Sequence, residues 1–169
     1  MPPEPEYDPA AALRVLHEHG VRFVVIGGVA MFVLGTPTTT TDLDICYARD
    51  ARNLEALATA LHQIGAVLRG APQGVPFVLD AETLRFGDTF TFTTTVGDLD
   101  IHGTPRGTSG YEDLASRAEP YDLGDGLDTL VCSVDDLIRM KEASGRLKDR
   151  AHLDLLHALK SRGGGGAGL

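Results

Sequence analysis

The apolar run Val21–Ile26 ends at Gly27-Gly28, and fourteen residues after Gly28 the chain places Asp42-Leu43-Asp44. β-Branched residues bounded by glycine read as a strand. Glycines at its end let the chain turn into a short helix, Val29–Leu34, with backbone N–H groups open to a ligand because no Cβ stands in the way. The positive end of that helix suits phosphate. Asp42–Tyr47 reads as the next strand. Side chains alternate across a strand, so Asp42 and Asp44 project from one face, roughly 6.6 Å apart.

Asp100 lies between Leu99 and Ile101 on a later expected strand, Asp98–His102, and offers a third carboxylate; Asp98, directly after Gly97, reads as a turn residue. Close carboxylates repel by about 4 kcal/mol per pair in a surface-like dielectric. Divalent cations relieve that repulsion. Asp42, Asp44 and Asp100 are therefore the candidate metal ligands, suited to two Mg²⁺ ions about 3.5–4 Å apart that clamp attacking and leaving oxygens. Asp100 could also orient or deprotonate an attacking hydroxyl.

The remaining pattern predicts helices over 9–19, 51–62, 111–117, 133–145 and 148–160. Short strands are expected at Val67–Arg69, Phe77–Leu79, Leu84–Phe86, Thr89–Thr95 and Leu127–Cys132. On the helix opened by Ser133, Lys141 falls in the middle of the Val134/Leu137/Ile138 apolar stripe. A lysine there either snorkels to water or meets a buried anion. Asp154 borders the Ala151/Leu155/Ala158 stripe, where it could pair with Arg150 or reach a cleft. The six histidines include no pair spaced to share a helix face as zinc ligands, and His102 reads as incidental.

A chain of 169 residues fits one domain. We expect a disordered leader over 1–7, a single folded nucleotide-binding unit over 8–162 and a flexible glycine-rich tail over 163–169. Its apolar runs are too short to span a bilayer, and its acidic N-terminus lacks a signal-peptide pattern. Two cysteines form no framework, which points to a reduced, cytoplasmic setting. The net charge of −9 argues against a broad basic surface for nucleic acid.

Taken in order, Gly27-Gly28-Val29-Ala30, Thr40-Thr41-Asp42-Leu43-Asp44, Leu99-Asp100-Ile101, Ser133–Lys141 and Gly145–Arg150 resemble the nucleotidyltransferase superfamily of the DNA polymerase β type. Within it, the resemblance is nearest to the AbiEii/MenT-like toxin nucleotidyltransferases. It implies an α/β (α+β) fold, a mixed twisted sheet flanked by helices, and transfer of a nucleoside monophosphate from an NTP to a hydroxyl of RNA or tRNA, a protein or a small molecule. It further implies that Asp42, Asp44 and Asp100 hold Mg²⁺, that Gly27 and Gly28 cradle phosphate, that Lys141 binds the triphosphate and that Asp154 completes the catalytic set. Thr40, Thr41 and Lys148 join the expected nucleotide-binding residues. An antitoxin partner follows from the same resemblance. Relatives commonly carry an arginine where this chain has Thr38, which leaves open an alternative: a nucleotide- or partner-binding module with weak or no turnover.

Overall fold

The computed structural model describes residues 3–165. The apolar run forms β1 (Phe23–Ile26), with all four residues buried at the centre of a mixed seven-stranded sheet. β2 (Asp42–Tyr47) pairs antiparallel with β1, and β5 (Gly97–His102) lies parallel to β2. β4 (Thr89–Thr94) and β3 (Val67–Leu68) continue antiparallel to one edge. On the other side of β1, β7 (Asp128–Val131) runs parallel and β6 (Glu119–Asp122) closes the edge. The strand order is β3-β4-β5-β2-β1-β7-β6.

The helices are α1 (Pro9–Glu18), α2 (Gly27–Val33), α3 (Ala51–Gln63), α4 (Ala81–Phe86), α5 (Tyr111–Ala115), α6 (Val134–Ser144) and α7 (Leu147–Gly165). Leu54, Leu57, Ala58 and Leu61 form the buried stripe of α3, which packs against α1 and α4. Four helices start on a side-chain cap: Asp8, Asp50, Asp80 and Ser133 each accept from the backbone N–H three residues on. Such a cap contributes about 1 kcal/mol. Among the described residues no helix is long and apolar enough to cross a membrane.

Two expected strands do not form, and one strand was not expected. Leu84–Phe86 is not a strand but the end of α4, because Asp80 caps a helix through the Thr83 N–H at 2.8 Å and Leu84 fills the core. Phe77–Leu79 joins no sheet; Phe77 instead packs on Phe90 and Phe92, with centroids 6.2 and 6.3 Å away. β6 has no apolar alternation to announce it, and its Pro120 is compatible with an edge position. At the N-terminus, Tyr7 and Asp8 are tied down: Tyr7 donates to the Asp42 carbonyl at 3.1 Å and Asp8 N–H to the Val96 carbonyl at 2.9 Å. α7 extends through Gly165. Residues 1–2 of the expected leader and 166–169 of the expected tail lie outside the described residues.

Candidate active site

The parallel register of β2 and β5 pairs Asp42 with Asp98 and Asp44 with Asp100. Leu43, Ile45, Leu99 and Ile101 are buried on one side of this strand pair, so the acids share the opposite face. Asp42, Asp44 and Asp100 converge, each offering a carboxylate oxygen within 4.8 Å of the others. Asp98 stands in the same row and pairs with Arg69 at 3.5 Å.

Gly27 and Gly28 shape the floor beside these acids. Gly27 has φ +67°, a left-handed conformation that disfavours a side chain, and a Cβ there would lie 2.6 Å from Asp44 Oδ2. A Cβ on Gly28 would strike Thr40 at 2.8 Å. The first turn of α2 has no side-chain cap, which leaves its backbone donors available to a ligand. Thr40 Oγ1 donates to the Asp42 carbonyl at 2.9 Å. Burial, then the Asp42 charge, pushes Tyr7 up to about 12, so its hydroxyl stays protonated behind that strand end.

Asp44 is held at Oδ1 by His102 Nε2, 3.0 Å away, and its Oδ2 occupies the space that a Cβ on Gly27 would need. Asp100 accepts from Arg69. Burial, and next the Asp44 charge, raise the Asp100 carboxyl to about 6 despite that arginine. A group of hard carboxylate oxygens that repel one another in this way fits Mg²⁺.

A cleft of about 940 Å³ opens over the acids. Gly27, Gly28, Thr40, Thr41, Lys141 and Lys148 all line it, together with Arg146. Its cationic wall is built at the joint of α6 and α7, where Gly145 takes φ +65° and reverses the chain. Lys141 meets the carboxylate of Asp149 at 3.0 Å, and Arg146 reaches the same carboxylate at 3.1 Å. The Asp149 side chain is 1% exposed. Burial would raise its carboxyl, but Ser144, Lys141 and Arg146 outweigh burial and hold it well below the usual carboxylate range.

The structure does not bring Asp154 to this cleft. It is exposed on α7, and the acid beneath the wall is Asp149. Sequence reasoning missed Asp149 because it meets Lys141 across the helix reversal, eight residues away, where periodicity along one helix says nothing. The available signal was an acid following Arg146 and Lys148 just after a stop glycine. His102 was also passed over, although alternation puts it in the row of Asp98 and Asp100. Thr38 lines the cleft with a hydroxyl, and guanidinium groups come instead from Arg106 and Arg146.

Two solved structures share this architecture. TM1012 of Thermotoga maritima, described as a candidate nucleotidyltransferase, superimposes with a TM-score of 0.56, covering 89% of this chain and 94% of that one at 15% identity. The lincosamide antibiotic adenylyltransferase LnuA, solved with lincomycin bound, gives 0.60, covering 89% of this chain and 95% of that one at 15% identity. The chain has the nucleotidyltransferase fold. No family model matches it, and no curated protein matches its sequence. Within the nucleotidyltransferase fold, the paired acids on β2 and β5 and the glycine turn after β1 are the features around which the cleft is built.

Proposed function

We propose that this protein transfers a nucleoside monophosphate from an NTP to a hydroxyl group and releases pyrophosphate. One observation carries the reading: Asp42, Asp44 and Asp100, remote in sequence, converge beside the Gly27-Gly28 turn in a cleft whose far wall is cationic. Gly27 and Gly28 admit the phosphates against the backbone, and Lys141, Arg146 and Lys148 balance their charge. Asp42, Asp44 and Asp100 would hold Mg²⁺, which supplies charge stabilisation at the reacting phosphorus and the leaving oxygens. His102 fixes the Asp44 carboxylate at Oδ1. Asp149 anchors Lys141 and Arg146 so that both stay on the wall before the nucleotide arrives.

A small molecule or a protein side chain is the acceptor class we favour over RNA. The net charge of −9 gives the chain no general attraction for a polyanion, and one fold neighbour is an antibiotic adenylyltransferase. The toxin reading of the same chemistry rests on the motif resemblance, and it requires RNA or protein as the labelled product.

The test is incubation with each α-labelled NTP, Mg²⁺ and separated cell RNA, protein and metabolite fractions, beside an Asp42→Ala/Asp44→Ala control. Label transferred to one fraction and lost in the control supports the reading and names the acceptor class. Nucleotide binding with no transfer to any fraction would leave a binding module in its place.

A further inference from the structure

The cationic wall holds one side chain that none of the roles above employs. His152, on the second turn of α7, lines the cleft with Lys141, Arg146 and Lys148. Its Nδ1 is buried and has no hydrogen-bond partner among the described residues. Leaving a polar atom buried and unpaired costs stability, and a half-turn of the ring that brings Nδ1 to the cleft lets a ligand return that stability.

The charges around the ring are unequal. Lys141 from α6, with Lys148 on α7 and Arg146 just before it, disfavours a proton on the imidazole, and Asp149 alone favours one. Burial is the largest influence and acts in the same direction as the cations, so the ring titrates below its ordinary value and is neutral at neutral pH. A triphosphate seated on this wall reverses the balance, because its negative charge offsets the same three cations. Nucleotide binding then draws a proton onto His152.

Building on the nucleotidyl-transfer reading, we propose that His152 is a catalytic residue that pairs with the triphosphate tail and, as its imidazolium, protonates the departing pyrophosphate. The acceptor oxygen forms a bond to the α-phosphorus, and the bond from the α-phosphorus to the α,β-bridging oxygen breaks. The electron pair stays on that oxygen, and the His152 proton goes to it. The acceptor hydroxyl's own proton leaves to solvent on the acidic side of the cleft. His152 is left neutral among its cations, the form they favour once pyrophosphate departs, and it is recharged from solvent when the next triphosphate binds. General acid catalysis of this kind contributes about 10²-fold or more.

The experiment follows the His152 ring by NMR through pH 5–8.5 in histidine-labelled full chain, assigned with His152→Asn. Spectra are taken alone and with Mg²⁺ and the α,β-methylene analogue of each NTP, with the amides of Gly27 and Gly28 reporting whether nucleotide binds. The proposal expects the ring's titration midpoint to rise by more than one pH unit on binding. If the glycine amides shift and the His152 midpoint does not, this proposal falls and the transferase reading stands. If no analogue moves the glycine amides, both fall.

With the acceptor in hand, His152→Asn should bind nucleotide within about threefold of wild type and lose about 100-fold in kcat. Its rate should also depend more steeply on leaving-group acidity across β,γ-difluoromethylene, oxygen and methylene analogues. An unchanged dependence would overturn the proton-donor role, because a merely structural histidine leaves that slope alone.

Discussion

Asp100→Asn separates what the fold gains from what the chemistry needs. The Asp100 carboxyl is raised from an ordinary 3.8 to about 6 by burial and by Asp44, so keeping it ionised at neutral pH costs the metal-free fold about 3 kcal/mol. An isosteric amide removes that charge and keeps an oxygen to accept from Arg69, but the Arg69 contact loses its charge assistance. The expected gain is therefore about 1–3 kcal/mol, or roughly 3–10 °C in Tm for a chain of this size. The sign with pH follows from linkage. A carboxyl raised in the folded state contributes stability that is present below its unfolded value and is lost as pH rises through the folded one. In EDTA, the stability gap between Asp100→Asn and wild type should thus open between about pH 4 and pH 6 and then stay flat. Adding Mg²⁺ should reverse the ranking. Wild type gains by mass action, about 2.7 kcal/mol at 100 times Kd, and the variant, lacking one ligand, gains less. Differential scanning fluorimetry across pH, with and without Mg²⁺, reads all of this. The reasoning is refuted if Asp100→Asn is less stable than wild type in EDTA at pH 7.5, or if it keeps the full Mg²⁺-dependent gain.

Gly27→Ala should destabilise the fold by about 1–2 kcal/mol for its left-handed backbone alone; because the new Cβ displaces Asp44, calorimetry should also show weaker Mg²⁺ binding. Asp149→Asn leaves Lys141 with its charge largely buried and should cost about 3 kcal/mol in urea unfolding, with weaker nucleotide binding in the same preparation. Asp154→Asn should leave unfolding within about 0.5 kcal/mol of wild type and nucleotide binding unchanged, since the residue is exposed and outside the cleft.

The central strands were legible because their signals are local. Val21–Ile26 and Asp42–Tyr47 alternate or saturate with β-branched and apolar residues, and the structure starts and ends β2 at the expected residues. The three carboxylates were legible for the same reason: alternation fixes a face, and two faces brought together make a cluster. What escaped depends on partners that sequence spacing does not reveal. Lys141 was visible as a charge in an apolar stripe, but its counter-ion lies across the Gly145 reversal, so a nearby acid, Asp154, stood in for Asp149. The 77–86 region misled because Phe77, Leu79, Leu84 and Phe86 look strand-like, whereas Asp80 caps a helix and Phe77 packs on Phe90 instead of joining the sheet. β6 carries no apolar rhythm because it sits at an edge with little to bury.

The near-identity of Asp42-Leu43-Asp44-Ile45 and Asp98-Leu99-Asp100-Ile101 makes their alignment ambiguous to the core. In the native register Leu43 faces Leu99 and Ile45 faces Ile101; slide one segment by two positions and an apolar residue still meets an apolar one, leucine against isoleucine, but Asp98 can arrive opposite Asp44. The ladders to β1 and β4 oppose such a slide, and Tyr7 and Asp8 add to them, one bonding the start of β2 and the other the Thr95-Val96 bend that launches β5. These two residues act as a gauge pin at one end of the paired acids, and trimming them should loosen the centre without touching a single ligand.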